Sequence, residues 1–292
     1  MEDENIPELD IRQRIKTIEQ LPPIPELALR ILKLRDNPDA TVEELVDIIM
    51  LDPGLSAQII RYANSPLFGQ RGDVKTLDDA IFRVLGFETV MYLALGTAMT
   101  QAFKLPDSGP LGLTNFWRNA TYSAALMQNL SVLVPRSITI QPGIAYICGL
   151  LHNIGFLVLS QLFESEYYWL NKVIMAKPDV PIISIEEQLL GETHVTLGYM
   201  LMDAWHMPEE ITVTVAEHHN LNYEGPHKQY VSLAQISDQL LKSHNMSDAD
   251  SDELSTHLYK ELGLSDDQLS IAVDDILQSS DVLDTMVNTL SA

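Results

Sequence analysis

Helix-start and helix-stop signals recur along almost the whole chain, at spacings that leave little room for strands. Thr41-Val42-Glu43-Glu44 has the form of a capping box. A threonine hydroxyl and a carboxylate three residues on can each satisfy the other's free backbone N–H, and this opens a helix through Met50. Asp52-Pro53 places a capping carboxylate before a proline at the first helical position. That helix is expected to reach Asn64 and to stop at Ser65-Pro66, because the residue before a proline is pushed out of the helical region. Leu27, Ile31 and Leu34 give an earlier helix its apolar face. Thr76-Leu77-Asp78-Asp79 opens another, which Gly86 ends, and a further one is expected over 88–103. The cluster Pro106-Asp107-Ser108-Gly109-Pro110-Leu111-Gly112 marks a subdomain boundary.

Beyond that boundary, helices are expected over 115–134, 142–162, 166–175, 184–190, 194–206, 208–219 and 228–244, with Ser184 and Glu187 marking one start. Val180-Pro181-Ile182-Ile183 is too short for a strand and carries a proline. In the tail, Ser265 and Gln268 form a second capping box, and Ile276, Leu283, Val287 and Leu290 keep a helical period. The fold class is therefore all-α. The organisation expected is an N-terminal helical subdomain over 1–105, a second helical subdomain over 106–245, and acidic helices over 246–292 packed on the body.

The net charge of −23 bears on partners rather than fold. A field of that sign repels phosphate backbones and anionic lipid surfaces, so neither nucleic acid nor membrane is expected as a partner. Residues 246–292 hold eleven acidic residues against one lysine. No apolar run is expected to reach the ~20 residues a membrane span needs, and the acidic start Met1-Glu2-Asp3-Glu4-Asn5 lacks a secretory signal's basic and apolar regions, so the cytoplasm is the expected compartment. The single cysteine, Cys148, sits in an apolar run and reads as a buried structural thiol. Trp117, Trp169 and Trp205 read as core anchors. Neither a glycine-rich phosphate loop nor a serine nucleophile elbow is present.

The chemistry-bearing residues fall in a few segments. His152-Asn153 follows a long apolar run, Glu192-Thr193-His194 opens a helix, Glu217-His218-His219 closes one, and Asp238 lies inside another. Imidazole and carboxylate groups from several helices can assemble a metal site inside a bundle. Adjacent histidines on a helix point about 100° apart, so only one of His218 and His219 is expected to face such a site. Each residue also has a plainer reading. His152 can bond helix ends, His194 can cap, His218 and His219 can sit against a helix dipole, and Asp238 can be solvated.

Two stretches resemble a known family. Leu151-His152-Asn153-Ile154-Gly155 is similar to the His-Asp motif of HD-superfamily metal-dependent phosphohydrolases. Asp52-Pro53-Gly54 through Asn64-Ser65-Pro66 resembles the N-terminal motif of the HDOD family, the HD-related output domain of bacterial signalling proteins. Thr76 to Gly86, Phe116-Trp117-Arg118, Gly191 to Gly198 and Trp205-His206-Met207-Pro208 continue that pattern, so the resemblance covers about 21–244. It implies an HD-like helical bundle and a regulatory output role. The departures fall on ligands. Asn153 stands where the superfamily has a metal-bridging aspartate, and Asn119 where it has an early ligand histidine. An amide is a poor bridge and cannot act as a general base. A catalytically inactive member is therefore expected, with no metal required. A single residual divalent cation on the remaining histidines stays chemically allowed.

Three functions are weighed. The first is a non-catalytic signalling module that binds a protein or small ligand. The second is a metal-dependent phosphohydrolase or phosphodiesterase acting on a nucleotide, with His152, His194, His218 and Asp238 as ligands. The third is a sensor that binds a cyclic-dinucleotide second messenger without cleaving it, through Arg61, Arg71, Arg83 or Arg118. The signalling partner is not named by the sequence.

Overall fold

The computed structural model describes residues 9–16, 18, 21–69, 73–100, 103, 105–106, 108–249 and 253–291. Arg71, the first five residues and the end of the helix expected over 88–103 lie partly or wholly outside them. Among the described residues there are helices and turns and no strand, so the fold is all-α.

The N-terminal part runs α1 (Arg12–Ile15), α2 (Glu26–Arg35), α3 (Val42–Ile49) and α4 (Pro53–Ala63). The capping box at Thr41 and Glu44 is made, and Asp52 caps α4 by accepting from the Leu55 N–H at 3.0 Å. A short 3₁₀ turn over Pro66–Phe68 follows. Then α5 (Leu77–Asp79) passes directly into a π-helical turn over Ala80–Leu85, which ends at Gly86 in positive φ. α6 (Phe87–Thr100) is buried along nearly its whole length. A helix apolar on all sides can only be a core helix, and α6 packs against α2, α4 and α8.

Asn64 joins the end of α4 to the chain that returns beneath it. Its Nδ2 donates to the Ile60 carbonyl at 3.0 Å and to the Val74 carbonyl at 2.8 Å, and its Oδ1 accepts from the Val74 N–H at 2.9 Å. One side chain thus closes a helix C-terminus and ties it to Val74. Ser65 is fully buried beside it. Tyr62, also in α4, donates to Gln128 Oε1 at 2.6 Å inside the core.

The second part runs α7 (Leu113–Leu133), α8 (Pro142–Leu151), α9 (Gly155–Leu162), α10 (Glu164–Ala176), α11 (Ile182–Leu190), α12 (His194–Ala204), α13 (Glu209–Glu217) and α14 (Lys228–Lys242). Two expectations change here. The helix assigned to Ser184 begins at Ile182 instead, because Pro181 sets up the first turn. The single helix expected over 142–162 is two helices, broken by a turn at residues 152–154. By length and composition that stretch is apolar enough to cross a membrane, contrary to the sequence expectation, with mean hydropathy 1.7 over an 18-residue window, but 94% of that window is buried inside the molecule. Its apolarity is used against α7, α12 and α13, where Gly149 lets the α7 backbone approach closely: a Cβ there would meet Ala124 Cα at 2.7 Å.

Cys148 is buried in α8, and burial pushes its thiol up to about 12. Trp117 and Trp205 are buried, and Trp205 donates its indole N–H to the Pro22 carbonyl at 2.8 Å. Trp169 is only partly buried, with the Lys172 ammonium 4.9 Å from its ring centre.

The tail forms α15 (Thr256–Glu261), α16 (Asp266–Gln278) and α17 (Ser280–Leu290). Ser265 and Gln268 make their capping box. Leu269, Ile276, Leu283, Met286 and Val287 are buried, with α16 and α17 against α7 and α17 also against α4. The Tyr122 hydroxyl donates to Asp284 Oδ1 at 3.0 Å across that contact. After α14, Met246 and Asp248 reach the candidate site.

Candidate functional site

The turn that breaks the apolar stretch carries His152 and Asn153, and both are buried. The imidazole of His152 donates from Nδ1 to the Gly149 carbonyl at 2.7 Å, which leaves Nε2 facing Asp238 Oδ1 at 3.5 Å. Asp238 is 4% exposed, so the solvated-helix reading of this residue is wrong. Burial alone would lower the His152 pKa, but Asp238, with a smaller contribution from Asp248, outweighs it and raises the imidazole to about 9.

Gly155, three residues after His152, sets the distance between α9 and α12. A Cβ there would lie 1.8 Å from the His194 carbonyl oxygen and 2.9 Å from the Gly198 nitrogen. Only a glycine lets the first turn of α12 lie against the first turn of α9, and that contact carries His194 into the site.

His194 is fully buried and stacks on Phe156 at 4.0 Å between ring centres. Its backbone N–H reaches Glu186 Oε1 at 3.1 Å, and its Nδ1 lies 2.8 Å from Glu186 Oε2. Glu186, on α11, is itself 0% exposed. A carboxylate in that position holds the proton on Nδ1 and turns the Nε2 lone pair inward, the arrangement that carboxylates impose on metal-binding histidines.

His218 follows the last residue of α13. Its Nδ1 lies 3.0 Å from the Val215 carbonyl, which can only accept, so Nδ1 carries the proton and Nε2 again presents a lone pair. That Nε2 is 3.4 Å from His194 Nε2 and 3.3 Å from Asn153 Oδ1. Burial, followed by the neighbouring imidazoles of His219, His152 and His194, holds His218 well below its ordinary pKa. The expectation that only one of His218 and His219 faces the site fails. The helix ends at Glu217, so its 100° rule no longer separates them, and both rings meet the same group of side chains.

Sequence reasoning missed the residue at the centre, Asp248. It lies on the segment after α14, among eleven tail carboxylates that look alike in the sequence. Its Oδ2 is 3.4 Å from His219 Nε2 and 3.8 Å from His194 Nε2, and its Oδ1 accepts from Asn153 Nδ2 at 3.0 Å. Burial would raise its pKa, but His219, His194 and His152 hold the carboxyl well below the usual range, so it is ionised. Asn119, on α7, completes the contact. Its Nδ2 donates to the Met246 carbonyl at 3.0 Å, and its Oδ1 accepts from Asn153 Nδ2 at 3.2 Å. The two amides therefore bond to each other and to the C-terminal segment.

A cleft of ≈ 880 Å³ opens beside Asn119, Asn153 and Asp248, with Arg118 and Lys242 on its wall. Arg61 and Arg83 do not line it, and Arg83 pairs with Asp79 at 3.1 Å. The family motif of Asp52, Pro53, Asn64, Ser65 and Pro66 lies elsewhere, around α4, and Asp52 lines a cavity there.

The donor set can be tested against the metals of HD enzymes. A binuclear centre needs a carboxylate bridge at 153 and an imidazole at 119, and both positions hold amides that are already engaged with each other. The set lacks both of those ligands, although His152, Asp238 and Asp248 also bring their ligand atoms within 4.8 Å of one another. It does fit one cation, because ligand atoms of His194, His218, His219 and Asp248 all lie within 4.8 Å of one another.

A family model for the HDOD domain matches residues 21–221. The chain belongs to the HDOD domain family. A crystal structure from Marinobacter aquaeolei VT8, provisionally named a signal transduction protein, is 33% identical and superposes with a TM-score of 0.81 over 99% of this chain and 68% of its own. An HDOD domain protein of unknown function from Geobacter sulfurreducens has the same fold at 22% identity and TM-score 0.70, covering 96% of both chains. A provisionally named phosphohydrolase from Shewanella amazonensis SB2B also shares it, at 22% identity and TM-score 0.71, over 96% of this chain and 97% of its own. An uncharacterised protein of Treponema pallidum is 26% identical over 204 residues, and this chain spans only 38% of its length. The HDOD match ends before Asp238 and Asp248, so these two carboxylates come from beyond it.

Proposed function

We propose that this HDOD chain is a non-hydrolytic regulatory module of the cytoplasm that acts by binding, with the cleft beside Asn119 and Asn153 as its ligand or partner site. One observation carries the reading. The two positions where a hydrolase needs a ligand imidazole and a bridging carboxylate hold Asn119 and Asn153, joined at 3.2 Å. Neither amide can take a proton from water or hold two cations. The Marinobacter relative's name supports a signalling role at 33% identity. The organisation that goes with it is the N-terminal subdomain over 1–105, an HD-like subdomain over 106–245, and the acidic helices over 246–292 as part of the same body.

A second reading, a nucleotide phosphohydrolase, draws on the three histidines gathered around Asp248. A third, a cyclic-dinucleotide sensor, draws on Arg118 and Lys242 in the cleft. One set of assays separates them. The protein is incubated with Mn²⁺, Mg²⁺ or Ni²⁺ and a panel of phosphomonoesters, phosphodiesters and cyclic dinucleotides, and calorimetry is run in parallel. The binding-module reading expects no turnover. Turnover that a chelator abolishes supports the second reading and sinks the first. Heat with a cyclic dinucleotide and no turnover supports the third, and Arg118→Ala should then remove it.

A further inference from the structure

The structure assigns a site for one late first-row divalent cation, of the zinc class, to His194, His218, His219 and Asp248, with the C-terminal segment supplying the fourth ligand. This goes beyond the binding-module reading and does not depend on it.

Three of the ligand–ligand distances lie near those around a tetrahedral ion. Metal–nitrogen bonds of ~2.0–2.1 Å put neighbouring ligands of a tetrahedral zinc roughly 3.3 Å apart. Here His194 Nε2 to His218 Nε2 is 3.4 Å, His219 Nε2 to Asp248 Oδ2 is 3.4 Å, and His194 Nε2 to Asp248 Oδ2 is 3.8 Å.

The polarity of the atoms points the same way. His194 and His218 each hold their proton on Nδ1, so two Nε2 lone pairs face one another. Asn153 Oδ1 adds a third acceptor, and its orientation is fixed because its Nδ2 donates to Asn119 and Asp248. Asp248 Oδ2 is buried, with the Nε2 atoms of His219 and His194 as its neighbours. A cation is a partner common to these lone pairs and to the carboxylate.

The outer contacts are also in place. Glu186 and the Val215 carbonyl orient two of the imidazoles from behind, as outer partners do in metal sites. Four protein ligands close the coordination sphere, and a closed sphere is the mark of a structural ion rather than a catalytic one. The ion would pin the segment around Asp248 across the bundle. Because that segment borders the ≈ 880 Å³ cleft, metal occupancy would set the shape of the cleft. Asp238, paired with His152, lies outside the proposed ligand set.

The test uses the full chain, stripped with chelator and then given Zn²⁺ or Co²⁺ alone. One equivalent is expected, with the intense visible bands of four-coordinate Co²⁺. Asp248→Asn should weaken binding at least ~100-fold, more than loss of an outer partner does. Asp238→Asn should keep one equivalent. Hydrogen exchange at Met246 to Ala249 should slow when Zn²⁺ is added, and this measurement on the unaltered chain decides the matter if a variant does not fold. Absence of tight binding, unchanged binding in Asp248→Asn, or two equivalents of which one is lost in Asp238→Asn would each overturn the assignment. Turnover in the hydrolysis assay bears on the binding-module reading alone.

Discussion

Gly155→Ala tests whether the site is held by the close approach of α9 and α12. The added Cβ would stand 1.8 Å from the His194 carbonyl oxygen, 2.6 Å from its carbon and 2.9 Å from the Gly198 nitrogen, where an ordinary contact begins at 3.4 Å. The two helix starts must separate by at least 3.4 − 1.8 = 1.6 Å along that line. All three atoms belong to backbone, so no side-chain rotation relieves the clash. Overpacking of this kind costs about 1–3 kcal/mol and sometimes more. Alanine's better helix propensity returns up to ~1 kcal/mol. A net loss near the top of that range, about 2–3 kcal/mol, would lower the melting temperature by roughly 5 °C in a chain of this size. His194 moves with the α12 backbone, so its 2.8 Å contact with Glu186 is lost as well. Urea unfolding followed by circular dichroism measures the loss. Gly198→Ala serves as comparison, because its Cβ meets a side-chain atom, Val215 Cγ1, at 2.6 Å and backbone only at 3.3 Å, at the Gly155 nitrogen. A Gly155→Ala protein within ~0.5 kcal/mol of the original, or more stable than Gly198→Ala, would refute the close-approach argument.

Other outcomes follow from the same geometry. Asn64→Ala removes three hydrogen bonds, to Ile60, to Val74 and from Val74, and should cost about 2–3 kcal/mol in urea unfolding. The raised pKa of His152 makes stability pH-dependent in chelator-treated protein. The contribution is complete below the ordinary value of 6.5 and is lost as pH rises through about 9, a difference of roughly 3 kcal/mol. Asp238→Asn should flatten that alkaline slope, and an unchanged slope would show that Asp238 does not hold the proton. Glu186→Gln keeps the shape of the side chain but removes the charge behind His194, so it should destabilise the fold by about 1–3 kcal/mol and weaken Zn²⁺ binding about 10–100-fold.

The helices were legible wherever the signal was local. Thr41 with Glu44, Asp52 with Pro53, and Ser265 with Gln268 form their caps from neighbours within one turn, and all three appear in the fold. The break at residues 152–154 was not legible, because apolar residues run through it on both sides and the turn is fixed by the α12 backbone against Gly155. The histidines could be named from the sequence. The carboxylates that orient and join them could not. Glu186 stands beside Glu187 in one helical turn, and only the packing of α11 decides which of the two is buried. Asp248 lies ten residues after Asp238, in a tail whose eleven carboxylates carry nothing local to tell them apart.

The most direct test is anomalous scattering from crystals of the full chain grown with Zn²⁺ or Mn²⁺. A single ion among His194, His218, His219 and Asp248, with Asn119 and Asn153 still bonded to each other, is the result expected. Two ions about 3.5–4 Å apart beside His152, the spacing of hydrolytic binuclear centres, would contradict the view that the amides at 119 and 153 have closed off that chemistry.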